Sequence, residues 1–167
     1  MPSTNPTSTV IYKAMICLKA GNPILFSPHP SAAGCILEAV NVVRRAAESA
    51  GAPAGAIACI TNPTLEATQA LMRHDATRLI LATGGGAMVK AAYSSGTPAI
   101  GVGAGNGPAY IHRSADVRLA VKRILDSKTF DNGTICASEQ SIVVTREMEA
   151  AVSAELKAQG ALSLIHI

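Results

Sequence analysis

A chain of 167 residues, 49% hydrophobic and only 15% charged, carries enough apolar material for a packed core and is not a disordered segment. Its net charge of +3 comes from scattered Lys and Arg, with Arg44–Arg45 on a helical stretch as the tightest cluster, which argues against a nucleic-acid partner. The apolar runs are short and broken by Gly and Pro, so none suits a bilayer span. Four cysteines without a C-x-x-C spacing indicate neither a zinc site nor a disulfide framework. With no signal peptide visible, they point to a reducing, cytosolic compartment.

Thr9 to Ala20 reads as a short helix with Ile11, Met15 and Leu18 on its apolar side, ended by Gly21. PILF, 23–26, is a buried strand that runs into SPHP, whose two prolines stop both helix and ladder. Ser31 then caps a helix to about Ala50, where Gly51 ends it. AIACI, 56–60, is a second strand, followed by a helix from Thr64 to His74. RLILA, 78–82, is a third, followed by Thr83-Gly84-Gly85-Gly86 and a helix to about Tyr93. PAIGV, 98–102, leads into a loop GAGNGP. Ser114 caps the helix ADVRLAVKRILDS, the Cys136 loop follows, and SIVVT, 141–145, precedes a last helix from Glu147. The aliphatic strands alternate with helices through short connections. That is the pattern of stacked βαβ units: an α/β, Rossmann-like parallel sheet with helices on both faces, read from the residues as one domain.

In such a sheet the loops leaving the carboxyl ends of the strands line the ligand crevice, here SPHP, TNP, TGGG and GAGNGP. Gly84 to Gly86, between a strand and a helix, form either a plain tight turn or a nucleotide site in which backbone approaches a phosphate. Neither Gly-rich stretch spells G-x-G-x-x-G or a P-loop. Cys136 is open in the same way. A Cys between Ile135 and Ala137 is commonly an inert packing residue. Yet Asn132-Gly133 favours a positive-φ turn just before it, and a thiolate there could attack a carbonyl. Of the histidines, His29, between two prolines, is the one suited to touch a ligand; His74, His112 and His166 read as surface residues.

SKTFDNGTICASEQSIVV, GVGAGNGPAYI, ILFSPHP and STNPTST together resemble the CoA-acylating aldehyde dehydrogenases. That group includes the aldehyde half of bifunctional aldehyde–alcohol dehydrogenase and the propanal and acetaldehyde enzymes of bacterial microcompartments. The resemblance runs from about Pro2 to at least Val144. It implies a reaction in which a short aldehyde, CoA and NAD interconvert with acyl-CoA and NADH through a cysteine thioester. By match, Cys136 is the nucleophile, and Asn5 with the Cys136 backbone N–H stabilises the oxyanion. Ser27, Pro28 and His29 match the loop at the adenosine ribose. Thr83, Gly84 and Gly85 match the turn at the pyrophosphate, and the loop holding Gly103 and Gly105 lies near the nicotinamide. No metal is implied. The resemblance further implies a cofactor domain over 1–130, the start of a catalytic domain over 131–167, a homo-oligomeric whole protein, and a cytoplasmic or bacterial-microcompartment location.

Hydrolytic relatives resemble this chain but carry a Glu in the loop after the strand 98–102, where it activates water. Here no carboxylate occurs from Ala99 to Arg113, which favours a thiol over water as the acyl acceptor. Family members are much longer, so the chain reads as a fragment, inactive by itself, with a tail GALSLIHI unlike the family. Two other functions fit less of the sequence. One is an acyl-phosphate reductase relative; the other is a nucleotide-binding module in which Cys136 is structural. Which aldehyde is used is not written in these residues.

Overall fold

The computed structural model describes residues 1–103 and 105–162; Ala104, His166 and most of the GALSLIHI tail lie outside the described residues. The elements are α1 (Pro6–Lys19), β1 (Ile24–Phe26), α2 (Ala33–Ser49), β2 (Ile57–Cys59), α3 (Leu65–Arg73), β3 (Ile80–Thr83), α4 (Gly86–Tyr93), β4 (Ala99–Val102), β5 (Gly107–Ile111), α5 (Val117–Thr129), β6 (Glu139–Val144) and α6 (Glu149–Ala158). Strands pair as β1–β2, β3–β4 and β5–β6, each pair parallel. A parallel neighbour can only be reached by a crossover, and α2, α4 and α5 supply one for each pair. The result is an α/β fold of three successive βαβ units. Among the described residues no helix is long and apolar enough to cross a membrane.

The chain divides into two compact units, Met1–Ala104 and Gly105–Ile167. In the first, Val10 and Ala14 of α1 pack with Phe26, Ile36, Val40 and Ile57 to form a core under β1 and β2. A smaller cluster of Met72, Ala82 and Ala92 lies between α3, β3 and α4. Helix ends follow local chemistry. Gly21 and Gly51 adopt φ of 71° and 98°, and the N–H groups beyond them turn back onto Cys17 and Ala47 carbonyls at 2.9 Å, closing α1 and α2 as a glycine there permits. The Thr64 hydroxyl accepts the Ala67 N–H at 3.0 Å and starts α3.

The second unit is built on Ile111, Val121 and Val152, which join β5, α5 and α6. Its β5–β6 ladder slips by one residue between Gly107 and Pro108, a bulge placed where proline has no N–H to give.

Four expectations need correction. The stripe of α1 that is buried holds Thr9, Val10, Lys13 and Ala14, whereas Ile11 and Met15 are exposed; Val10 and Ala14 pack with Ile36 and Val40 of α2, and of the three expected residues only Leu18 joins that core, at its edge. Helix α2 is preceded by a 3₁₀ turn, Pro30–Ala32, capped by His29 and not by Ser31. The loop after β4 becomes a strand at Gly107, because Pro108–Ile111 find a partner in β6. Helix α5 is capped by Asp116, whose carboxylate accepts the Leu119 N–H at 3.0 Å, while the Ser114 hydroxyl is bonded to His112 Nδ1 at 2.7 Å.

Candidate functional site

In the first unit the ligand-type loops leave the carboxyl ends of parallel strands. Strand β1 ends in Ser27–Pro28–His29. The Thr68 hydroxyl donates to the Thr64 carbonyl at 2.9 Å, so in its 2.8 Å contact with Ser27 it accepts and Ser27 donates. Ser27 thus ties β1 to α3. Pro28 is buried and His29 exposed. The Ser31 backbone N–H points at His29 Nδ1 at 3.2 Å. An N–H cannot accept, so Nδ1 bears the lone pair and the ring proton sits on Nε2.

Strand β3 ends at Thr83, and the Gly84 N–H extends the ladder by one bond to the Val102 carbonyl at 3.2 Å. Gly103 returns beside this turn: a Cβ there would stand 3.9 Å from the Gly84 oxygen. The structure therefore brings the glycine turn and the start of the next loop together. Gly85 is the N-cap of α4, and no side chain caps that helix. The Met88 N–H turns back onto the Gly85 carbonyl at 3.0 Å, which leaves the Gly86 and Ala87 N–H groups as the donors for a ligand, at the positive end of the helix dipole.

Asn5 is the N-cap of α1 and half-buried. Its carbonyl accepts the Thr9 hydroxyl at 2.8 Å and N–H at 3.2 Å, which fixes the backbone. Its side-chain Oδ1 accepts the Thr4 hydroxyl at 3.3 Å. The amide NH₂ has no partner among the described residues, which leaves it a donor in reserve.

The second unit presents Cys136. Asp131, Asn132 and Gly133 run through three consecutive positive φ values of 50°, 54° and 68°, so the chain does turn left-handed before the Cys, beginning one residue earlier than Asn132. The Thr134 hydroxyl bridges the Asp131 carbonyl at 2.8 Å and its carboxylate at 2.9 Å, holding the non-glycine residue in this conformation. A tight turn follows. Ser138, buried, donates both its N–H, at 3.0 Å, and its hydroxyl, at 2.7 Å, to the Ile135 carbonyl. Cys136 and Ala137 occupy the exposed corner of that turn. Gly105 runs alongside, where a Cβ would lie 3.4 Å from the Cys136 oxygen, and a Cβ at Gly107 would lie 3.5 Å from the Ser138 oxygen. Side-chain-free backbone thus lines one flank of the thiol's turn. An exposed thiol on a rigid corner suits covalent chemistry, whereas a structural Cys is buried.

The other histidines, His74 and His112, are exposed and bond locally. Cys35 is also exposed; Cys17 and Cys59 are half-buried, and burial pushes both thiols up from the ordinary 9.0. Sequence reasoning missed Lys13, which is buried on α1 and bonded to the Leu81 carbonyl at 2.6 Å. Its spacing with Val10, Ala14 and Cys17 on one helical face was the available signal.

Comparison with known proteins is consistent across sequence and structure. The profile of the aldehyde dehydrogenase family matches residues 2–162. An aldehyde-alcohol dehydrogenase of Streptococcus pneumoniae is 54% identical over 156 residues, covering 93% of this chain and 18% of that protein. The crystal structure of an acetylating aldehyde dehydrogenase from Geobacillus thermoglucosidasius superposes with a TM-score of 0.89 at 61% identity, covering 99% of this chain and 36% of that one. A Rhodopseudomonas palustris propionaldehyde dehydrogenase, solved with bound CoA and an acylated cysteine, gives 0.87 at 35% identity, covering 98% and 37%. The chain therefore spans about a fifth to two fifths of the length of the proteins it matches.

Proposed function

We propose a reaction for a chain that belongs to the aldehyde dehydrogenase family: it is a piece of a CoA-acylating, NAD-dependent enzyme that oxidises a short aldehyde to acyl-CoA. The observation that carries the reading is the exposed Cys136 on its braced turn, flanked by Gly105, in a chain with no carboxylate from Ala99 to Arg113.

In this reading the Cys136 thiolate adds to the aldehyde carbonyl and forms a thiohemiacetal. The Cys136 backbone N–H is one donor to the developing oxyanion, and by the family resemblance the Asn5 amide is the other. A nicotinamide cofactor held beside Cys136 would supply the hydride acceptor, and loss of hydride from the thiohemiacetal carbon leaves a thioester on Cys136. The thiol of CoA, as thiolate, attacks that thioester, and the Cys136–acyl bond breaks to release acyl-CoA and regenerate the thiolate. Water is the poorer acceptor because 99–113 holds no carboxylate to take its proton; loss of such a base costs on the order of 10²–10⁴-fold. The residues present fit the cofactor: α4 has an uncapped N-terminus behind Gly84–Gly85, and Gly103 leaves the space beside Gly84 open. Thr83, Gly84 and Gly85 would hold the pyrophosphate, Ser27 to His29 the adenosine ribose, and Gly103 and Gly105 would border the nicotinamide. His29, with its proton on Nε2, offers a donor to a ribose hydroxyl.

Competitive alkylation tests the assignment of the nucleophile. Limiting iodoacetamide, with each cysteine followed by mass spectrometry, should modify Cys136 ahead of Cys17, Cys35 and Cys59. Modification of Cys136 no faster than of the others would make it structural.

A further inference from the structure

Lys13 is 2% exposed, belongs to none of the ion pairs among the described residues, and plays no part in the reaction above. Its partner explains its place. The Ile80 N–H reaches the Pro98 carbonyl at 2.9 Å and the Gly84 N–H the Val102 carbonyl at 3.2 Å, so residues 80, 82 and 84 direct their backbone groups toward β4. Alternation along the strand then turns the Leu81 carbonyl to the opposite margin of β3. No described strand is laddered to that margin. Lys13 fills the place of the missing neighbour, reaching from a helix 68 residues earlier in the chain to donate at 2.6 Å.

A neutral donor would satisfy a carbonyl, and this fold uses neutral donors elsewhere. The Thr97 hydroxyl serves the Met72 carbonyl and the Thr77 hydroxyl the Leu71 carbonyl, each at 2.7 Å. Burying an ammonium without a counter-ion is far more costly than burying a hydroxyl. The cation stands two residues before Thr83, where the backbone enters the glycine turn and the uncapped α4 N-terminus. Leu81 and Gly84 are separated by about 10 Å of extended chain, a distance over which a fixed charge in a protein still changes anion affinity by roughly tenfold.

We propose that Lys13 is a positioning residue for an anionic cofactor: its ammonium pins the unladdered margin of β3, so that Thr83–Gly85 is held ready, and adds a fixed positive charge behind the turn for the pyrophosphate. The proposal rests on the reading of Thr83–Gly85 as the pyrophosphate turn.

The test compares K13M, K13R and V40A with the parent chain, by amide hydrogen exchange across 82–86 and by calorimetric titration with NAD⁺. K13M should exchange at least about tenfold faster at 82–86 and bind NAD⁺ roughly tenfold or more weakly. K13R, which keeps a charged donor, should recover most of both. V40A loses core methyls in the same unit and should lower stability without singling out the turn. Selective exchange at 82–86 in V40A equal to that in K13M, or unchanged exchange in K13M, would overturn the positioning role. Should K13M fail to fold, K13R and the parent chain still decide: a through-bond NMR coupling between Lys13 Nζ and the Leu81 carbonyl carbon supports the tie, and its absence contradicts it. If the parent chain binds no NAD⁺ while K13M still loosens the turn, the ligand reading falls and the positioning stands.

Discussion

Tyr93 abuts Gly101. Its hydroxyl accepts the Gly101 backbone N–H at 2.9 Å, and a Cβ on Gly101 would stand 2.8 Å from the Tyr93 ring and 2.6 Å from Val89 Cγ1. The Gly101 N–H points away from β3, so Tyr93 closes the outer margin of β4 as Lys13 closes that of β3. Gly101→Ala should therefore force α4 off the strand and cost about 1–3 kcal/mol by overpacking. Denaturant unfolding checks this, and a neutral outcome would mean that α4 is free to move.

At Gly133, unlike Gly101, space and backbone both demand glycine. Its φ is +68°, and a Cβ would approach the Lys128 oxygen to 3.0 Å. Gly133→Ala should cost roughly 1–2 kcal/mol in left-handed strain. It should also loosen the turn that carries Cys136, so the rate of Cys136 alkylation should change more than that of Cys35. Equal changes at both would show that the left-handed turn does not brace the thiol.

Lys13 makes stability depend on alkaline pH. Burial lowers its pKa from 10.5 to about 8. The groups facing it are the Cys17 thiol, one turn along α1, and the Met1 amine, itself lowered to about 6. Between about pH 8 and 10.5 the unfolded chain binds a proton that the folded chain has released, so this contribution to stability rises with pH across that window and is flat below it. Cys17 and Cys59, held protonated by burial, act in the opposite direction above pH 9.0. The quantity to measure is thus the difference between the chain and K13M: unfolding free energies from pH 7 to 10.5 should show a rise that K13M lacks. Parallel pH profiles would contradict the account.

What was legible beforehand follows from the range over which each feature is determined. The βαβ alternation, Gly21 and Gly51 as helix ends, and the turn ahead of Cys136 are set by residues within a few positions of one another, and all three are in the structure. From sequence β5 reads as loop, because Gly105, Asn106, Gly107 and Pro108 look like a loop by themselves. Gly107 and Pro108 enter a strand only because β6, some 30 residues on, supplies the ladder. Two caps went the same way: Ser31 and Ser114 have the right chemistry, but His29 and His112 engage their hydroxyls. Nothing local singles out Lys13: its partner, Leu81, is distant in sequence, and a lysine on a helix is ordinarily solvated. Cys136 was undecided locally; its exposed corner and the flank formed by Gly105 are properties of the folded second unit.

The central claim is that Cys136 carries the acyl group, and acyl transfer from acetyl-CoA tests it without needing an aldehyde or a hydride. The chain is incubated with acetyl-CoA, digested under acidic conditions that preserve thioesters, and each cysteine-containing peptide is assayed for an acetyl group. The account predicts acetylation of Cys136 well above that of Cys35, which is also exposed, and none at position 136 in C136A. Acetylation of Cys35 equal to that of Cys136 would contradict it.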